Sequence, residues 1–340
     1  MSPGATWCFT YPVRPEVAAE MHRVYDGGIS MTTTRPRRPS TLRARLDTSA
    51  FHPDLQRAAA VLPARSVTPA TLPLIRRLTS YTGRRGTEVV RIDDRVSVRV
   101  HRPAPGISPS AGILWVHGGG YVIGAPQQND GLCRRLATEL GAVVAAVSYR
   151  LAPEHPYPAA LDDCYAALQW LGAQPEVDAD RIAIAGNSAG GGLTAALAFA
   201  ARDRGGVQPV LQLLSYPMLD DRSTGTELET GLLRMWNTKA NRFGWQSYLG
   251  DADPGVAVPA RRTDPAGLAP AWIGVGTVDL FHAEDLAYAE RLRDAGVPCR
   301  VLEVPGAFHG FDEILPRAGV ARAYLAEQIA ALRASLEVAG

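Results

Sequence analysis

The strongest constraint on this 340-residue chain is an alternation that begins near residue 87. Apolar runs recur: ILWVH (113–117), AVVAAVSY (142–149), RIAIAG (181–186), VLQLLSY (210–216), AWIGVG (271–276) and CRVLEV (299–304). Helical patterns separate them over 128–140, 158–173, 188–203 and 282–295, with a last one near 316–336. A strand that is apolar at every position, instead of every second one, must be covered on both faces. EVVRI (88–92) and VSVRVHRP (96–103) read as two more strands, joined at Asp93 and Asp94. The fold class expected is therefore α/β, a largely parallel sheet with helices on both sides.

Residues 1–50 read as a weakly ordered extension, because RPRRPSTLRAR (35–45) is basic and carries no periodic apolar face. Residues 51–85 hold two helical patterns, PDLQRAAAVL (53–62) and PATLPLIRRL (69–78). The sheet domain takes 86–340. Its rhythm breaks near 218–262, where Trp236, Phe243, Trp245 and Tyr248 lie in helical patterns without a strand. An aromatic-bearing insertion between two sheet strands is expected to act as a cap.

Composition excludes several function classes. A net charge of +1 offers no electrostatic case for a nucleic-acid or membrane-surface partner. No run reaches the roughly 18 apolar residues that a membrane span needs. The first residues lack a charged start and an apolar stretch, and TLRARLDTS after Arg37-Arg38 is unlike a twin-arginine signal. Cys8, Cys133, Cys164 and Cys299 form no CxxC pair and no metal-ligand spacing. Free thiols, a cytoplasmic location and no metal or cofactor are expected.

Chemistry concentrates at glycines. Gly186-Asn187-Ser188-Ala189-Gly190 follows an apolar strand and opens the alanine-rich helix LTAALAFAAR. In a sharp strand-to-helix turn, side chains two residues either side of the serine would collide, which explains Gly186 and Gly190. The helix N-terminus points free N–H groups at the serine oxygen. A serine nucleophile also needs donors for a developing oxyanion. His117-Gly118-Gly119-Gly120-Tyr121 leaves bare backbone after a strand, so the amides of Gly118, Gly119 and Ala189 are the expected donors. A histidine base belongs on a loop after a late strand, where ligands bind in parallel sheets, and His309 in GAFHGF follows CRVLEVP. Asp279, at the end of AWIGVGTVD, is the expected orienting acid. Glu284 and Asp285 fall within the next helix and are expected to face solvent. The order Ser188, Asp279, His309 is the serine–acid–histidine order of α/β-hydrolase sheets.

With these motifs on the page, the chain resembles the hormone-sensitive-lipase-like esterases, the bacterial family IV group of the α/β-hydrolase fold, from roughly residue 85 to 337. The resemblance rests on WVHGGGYVIG (115–124), YRLAPEHPYPAALDD (149–163), GNSAGGGL (186–193), VDLFHAEDLAYAERL (278–292) and AFHGF (307–311). It implies an eight-stranded, mostly parallel sheet with a helical cap made by the N-terminal helices and residues near 218–262. It also implies cofactor-free hydrolysis of short- to medium-chain acyl esters, and often a homodimer. By resemblance Ser188 is the nucleophile, His309 the base and Asp279 its partner, with Gly118, Gly119 and Ala189 as the oxyanion hole. Tyr121 and Trp236 are candidates to contact a small-molecule ester. Two positions depart from the family pattern: Asn187 stands where aspartate or threonine is usual, and Ala283 replaces the acid's second carboxylate. An ion pair between Arg150 and Glu154 is expected to be structural. The motifs alone leave open an amidase or lactonase on the same triad, and a hydrolase-fold receptor without turnover.

Overall fold

The computed structural model describes residues 48–62, 67–68, 70–80, 86–104, 106, 108–223 and 231–337. The expected extension falls outside them up to residue 47, as do residues 224–230 of the cap region. Eight strands form where the apolar runs placed them: β1 Glu88–Arg91, β2 Ser97–His101, β3 Ser110–Val116, β4 Val143–Ser148, β5 Val177–Asn187, β6 Leu211–Ser215, β7 Ala271–Gly276 and β8 Cys299–Val304. They make one sheet in the order β1-β2-β4-β3-β5-β6-β7-β8. Strand β2 runs against both of its neighbours, and every other pairing is parallel.

The continuous apolar runs divide their side chains between two cores. In β3, Ile113 and Trp115 join one core while Leu114 and Val116 join the other. That is the two-residue strand period acting between two covered faces. Helices α2 Asp130–Leu140 and α7 Gly319–Glu337 close one face; α1 is the shorter Leu72–Ser80. Helices α3 Ala159–Gly172, α4 Ala189–Arg204 and α6 His282–Asp294 close the other. Helix α4 is buried at every position from Ala189 to Ala201. Its run of glycine and alanine lets the helix pack closely against both the sheet and α3. No helix among the described residues is long and apolar enough to cross a membrane.

The expected helix over 53–62 is two short turns, Pro53–Leu55 and Gln56–Ala59. The interruption between β6 and β7 holds α5 Thr238–Leu249 and the turns Pro254–Ala257 and Pro259–Arg261. Trp245 and Tyr248 of α5 pack on Tyr121, with centroids 5.1 and 4.2 Å away.

The structure corrects the Arg150 pairing. Arg150 grips Asp163 of α3 through Nη2 at 2.7 Å and Nε at 2.9 Å, and its own backbone N–H donates to the same carboxylate. Glu154 lies outward and instead takes Arg76 at 2.7 Å. Asp163 falls on the inward stripe of α3, so a buried carboxylate there needs the arginine more than a solvated Glu154 does.

Candidate active site

Strand β5 ends at Asn187, and Ser188 turns the chain into α4 with φ 54° and ψ −125°. A non-glycine residue at positive φ is strained and persists only where its surroundings hold it. Here the Ser188 N–H donates to Ser215 at the end of β6 at 2.9 Å. The Ser188 carbonyl accepts from Gly192 and Met218, each at 3.0 Å. The flanking glycines are sterically required. A Cβ on Gly186 would stand 2.5 Å from the Gly190 carbonyl oxygen, and one on Gly190 would collide with the carbonyls of Val116 and His117.

The turns after β7 and β8 bring the other two residues. Asp279 sits in a turn tied back to Gly276, while Val278 donates to Ala307 at 3.1 Å and Thr277 donates to Val304 at 3.0 Å. These bonds set the two turns side by side. The His309 Nδ1 lies 2.8 Å from Asp279 Oδ2, and its Nε2 lies 2.9 Å from Ser188 Oγ. A carboxylate can only accept, so Nδ1 carries the proton and Nε2 presents its lone pair to the serine hydroxyl. Asp279 Oδ1 accepts the Phe281 N–H at 3.0 Å. Asp279 is 1 % exposed, Ser188 6 % and His309 7 %, so the chain of bonds is shielded yet reachable at the serine end. Two rings box the imidazole edge-on: Tyr216 at 4.9 Å and Phe281 at 5.1 Å. Neither was singled out from the sequence, although both lie just past sheet strands on the rim that carries Asp279 and His309.

The glycine loop stands across from the serine. A Cβ on Gly118 would come within 3.2 Å of Ser188 Cβ. The amides of Gly118, Gly119 and Ala189 hold no hydrogen bond within the described residues. Gly119 and Gly120 take φ values of 135° and 58°, a path that favours glycine. His117 fixes one peptide of this loop. Burial pushes its pKa down to about 4, so the ring is neutral, and Nδ1–H donates to the Gly118 carbonyl at 2.9 Å. The two ends of a trans peptide point opposite ways, so anchoring that carbonyl aims the Gly119 N–H away from His117.

Tyr121 and Trp236 occupy different places. Tyr121 lies in the packed interior, its hydroxyl donating to the Met218 carbonyl at 3.0 Å. Trp236 presses its ring onto Gly120, where a Cβ would sit 2.5 Å from Trp236 Cζ2. Its Nε1 donates to Asn241 Oδ1 at 3.3 Å. Trp236 thus packs on Gly120 of the glycine loop, while Tyr121 is held in the interior by Met218.

Glu284 and Asp285 do not face solvent, which corrects the expectation for α6. The helix buries Glu284, Asp285, Tyr288, Ala289 and Leu292, a stripe with helical spacing that takes both acids inward. Glu284 Oε1 accepts the N–H groups of Leu219 at 2.6 Å and Asp220 at 3.1 Å. Burial pushes its pKa up to about 8. Among the described residues Asp285 has no hydrogen bond on either carboxyl oxygen, and burial raises its pKa well above the usual range. The Phe281, Tyr288 and Leu292 spacing carried this signal in the sequence.

A strained serine at a strand-to-helix turn, hydrogen-bonded to a histidine and thence to an aspartate at the carboxyl edge of a mostly parallel sheet, is the arrangement of an acyl-transfer hydrolase. A family model described as the alpha/beta hydrolase fold matches residues 113–313. The chain is 39% identical over 226 residues to esterase LipI of Mycobacterium tuberculosis, covering 64% of this chain and 71% of that protein. It is 35% identical over 232 residues to an ethyl acetate hydrolase of Pseudomonas putida, covering 63% and 70%. The solved structure of a bacterial heroin esterase superposes with a TM-score of 0.75 at 34% identity, covering 84% of this chain and 98% of that one. The chain belongs to the α/β-hydrolase fold family, in its hormone-sensitive-lipase-like group. It is a carboxylic ester hydrolase.

Proposed function

We propose that the enzyme hydrolyses short- to medium-chain acyl esters through an acyl-enzyme on Ser188, with His309 as base and Asp279 as its orienting acid. The observation that carries this is the hydrogen-bonded line from Ser188 Oγ through His309 to Asp279. His309 Nε2 takes the hydroxyl proton as Ser188 Oγ attacks the ester carbonyl. The oxyanion that forms is held by the free amides of Gly118, Gly119 and Ala189. His309 returns the proton to the leaving alcohol, and water repeats the sequence on the acyl-enzyme. Asp279 keeps the imidazole in the productive tautomer and stabilises its cation. The likeness to an ethyl acetate hydrolase supports small substrates. Trp236 on Gly120 supports a role for the cap in bounding them.

A homodimer and a cytoplasmic location complete this reading. Strand β8 closes the sheet order and leaves an edge that a second copy could pair with. Sedimentation of the purified chain tests the dimer. The activity is tested with p-nitrophenyl esters from acetate to palmitate, wild type beside Ser188→Ala. Turnover of the short esters that vanishes in the variant is expected. Turnover that survives Ser188→Ala overturns the serine mechanism, and a preference for palmitate overturns the substrate size.

A further inference from the structure

Tyr216, the residue after β6, takes φ 36°, an angle that a bulky side chain adopts only where its surroundings hold it. Its N–H donates to the Gly274 carbonyl of β7 at 2.6 Å. The Tyr324 hydroxyl of α7 donates to the same oxygen at 2.9 Å. A Cβ on Gly274 would stand 2.6 Å from the Tyr324 hydroxyl, so glycine leaves room for that ring. The Tyr216 and Tyr324 rings stack at 6.3 Å. At the far end of the side chain, the Tyr216 hydroxyl donates to Asp312 Oδ1 at 2.7 Å.

Ser215 and Tyr216 together reach both members of the reacting pair. The Ser215 carbonyl accepts the Ser188 N–H at 2.9 Å. The Tyr216 ring meets the His309 imidazole at 4.9 Å, with the two planes 70° apart. Asp312 lies three residues after His309, and Phe311, two residues after it, packs on Tyr324 at 5.1 Å. The histidine turn is thus tied to the end of β6 by a hydrogen bond and braced there by a ring, while the serine turn is tied to the preceding peptide. Tyr216 is 1 % exposed and its hydroxyl proton is committed to Asp312. Burial raises its pKa well above the ordinary phenol value, so it stays a protonated donor. An enclosed hydroxyl with a fixed acceptor is not placed to meet an ester.

We infer that Tyr216 is a positioning residue, which registers the His309 imidazole against Ser188 by joining the end of β6 to the histidine turn. The role rests on the reading of Ser188 and His309 as nucleophile and base. It gives a reason for a tyrosine at a backbone angle that suits glycine: glycine would relieve the φ and lose both attachments. A misplacement of about 1 Å between reacting groups can cost about a hundredfold in rate. Tyr216 touches no substrate, so its loss acts on the 2.9 Å contact between His309 Nε2 and Ser188 Oγ and falls on kcat instead of KM.

The test compares wild type with Tyr216→Leu, Tyr216→Phe, Asp312→Ala and the double variant Tyr216→Phe/Asp312→Ala on p-nitrophenyl acetate at pH 8. Reactive serines are counted by the p-nitrophenol released as diethyl p-nitrophenyl phosphate phosphorylates them, so each kcat is per competent site. Tyr216→Leu loses ring and hydroxyl, and its kcat should fall about 30- to 100-fold. Tyr216→Phe and Asp312→Ala each lose the hydrogen bond, and kcat should fall about 3- to 10-fold, with KM within about twofold in every variant. The double variant should be no slower than the slower single, because both changes remove one bond. A lowered site count with wild-type kcat per site in Tyr216→Leu would mean a purely structural role and overturns the inference. So does a double variant as slow as the product of the singles, or a defect confined to KM. If Tyr216→Leu does not fold, Tyr216→Phe carries the test, and wild-type kcat in that variant overturns the role. Ser188→Ala runs alongside. Turnover surviving there sinks the serine reading itself, whereas Ser188-dependent turnover at wild-type kcat in the Tyr216 variants sinks the positioning role alone.

Discussion

Asp279 and Asp285 lie six residues apart, and both are buried as completely as a side chain can be. Their surroundings differ in one respect. Asp279, in the turn after β7, meets a donor at each oxygen: the imidazole at 2.8 Å and the Phe281 amide at 3.0 Å. Asp285, one turn into α6, meets none among the described residues. Burial disfavours charge in both places, and only hydrogen bonds to the charged form offset that cost. A buried carboxylate with donors is equipped to hold a histidine. One without donors has its pKa pushed up by burial, so ionising it costs the fold stability.

Replacing Asp279 by asparagine breaks the comparison at its strongest point. The amide keeps the shape and loses the charge, and it can present a donor to Nδ1, which favours the wrong tautomer. We expect kcat to fall by about 10⁴-fold, with KM moving far less, as loss of the orienting acid does in comparable triads. Asp285→Asn leaves ester turnover unchanged, since the residue touches neither His309 nor Ser188 in the bonds described. Single-turnover rates on p-nitrophenyl acetate check both. A loss under tenfold in Asp279→Asn would move the orienting role to another group, and a comparable loss in Asp285→Asn would erase the distinction.

This contrast also marks what could be read from residues alone. The eight strands were legible because a run such as AVVAAVSY has no other stable home than a sheet covered on both faces. The serine turn and the glycine loop were legible because Gly186, Gly190 and the glycines after His117 answer to local sterics that leave a trace in sequence. The fate of Glu284 and Asp285 was misread because acids were assigned to solvent by type. Their spacing from Phe281, Tyr288 and Leu292 placed them inward, and the periodicity deserved the greater weight. Arg150 went to Glu154 by proximity in sequence, although a helix face decided for Asp163. The clasp of Tyr216 and Phe281 on His309 depends on how separate turns converge at the sheet edge. No local pattern encodes that convergence.

Glu284 stands between the two aspartates in character. It is buried like Asp285, yet it accepts two backbone N–H groups where the chain leaves β6. Glu284→Ala strands both amides, at roughly 1–3 kcal/mol for each buried donor left unmade. Glu284→Gln keeps an oxygen for them. Urea unfolding should show the alanine variant less stable by about 2–6 kcal/mol and the glutamine variant within about 1 kcal/mol of wild type. Equal losses in the two variants would mean that the charge, and not the acceptor, is what this position supplies.

The smallest effect separates Asp285 from both neighbours through its sign with pH. Its pKa is raised in the folded protein, chiefly by burial and further by Glu284 and Asp279. In the unfolded chain it titrates near the ordinary value of about 3.9. Between those two values the native state binds one more proton than the unfolded state. Stability therefore falls as pH rises through that window, by about 1.4 kcal/mol per unit for this one group. Asparagine is neutral throughout and removes the dependence. Near pH 4 the Asp285→Asn protein should unfold close to wild type, or slightly below it, because a buried amide without partners is no better placed than a buried acid. Above pH 4 the variant should gain on the wild type as pH rises. Melting curves across that range decide the matter. A gap that stays level with pH would mean Asp285 is ionised in the native state and has found a donor, and the contrast with Asp279 would then rest on catalysis alone.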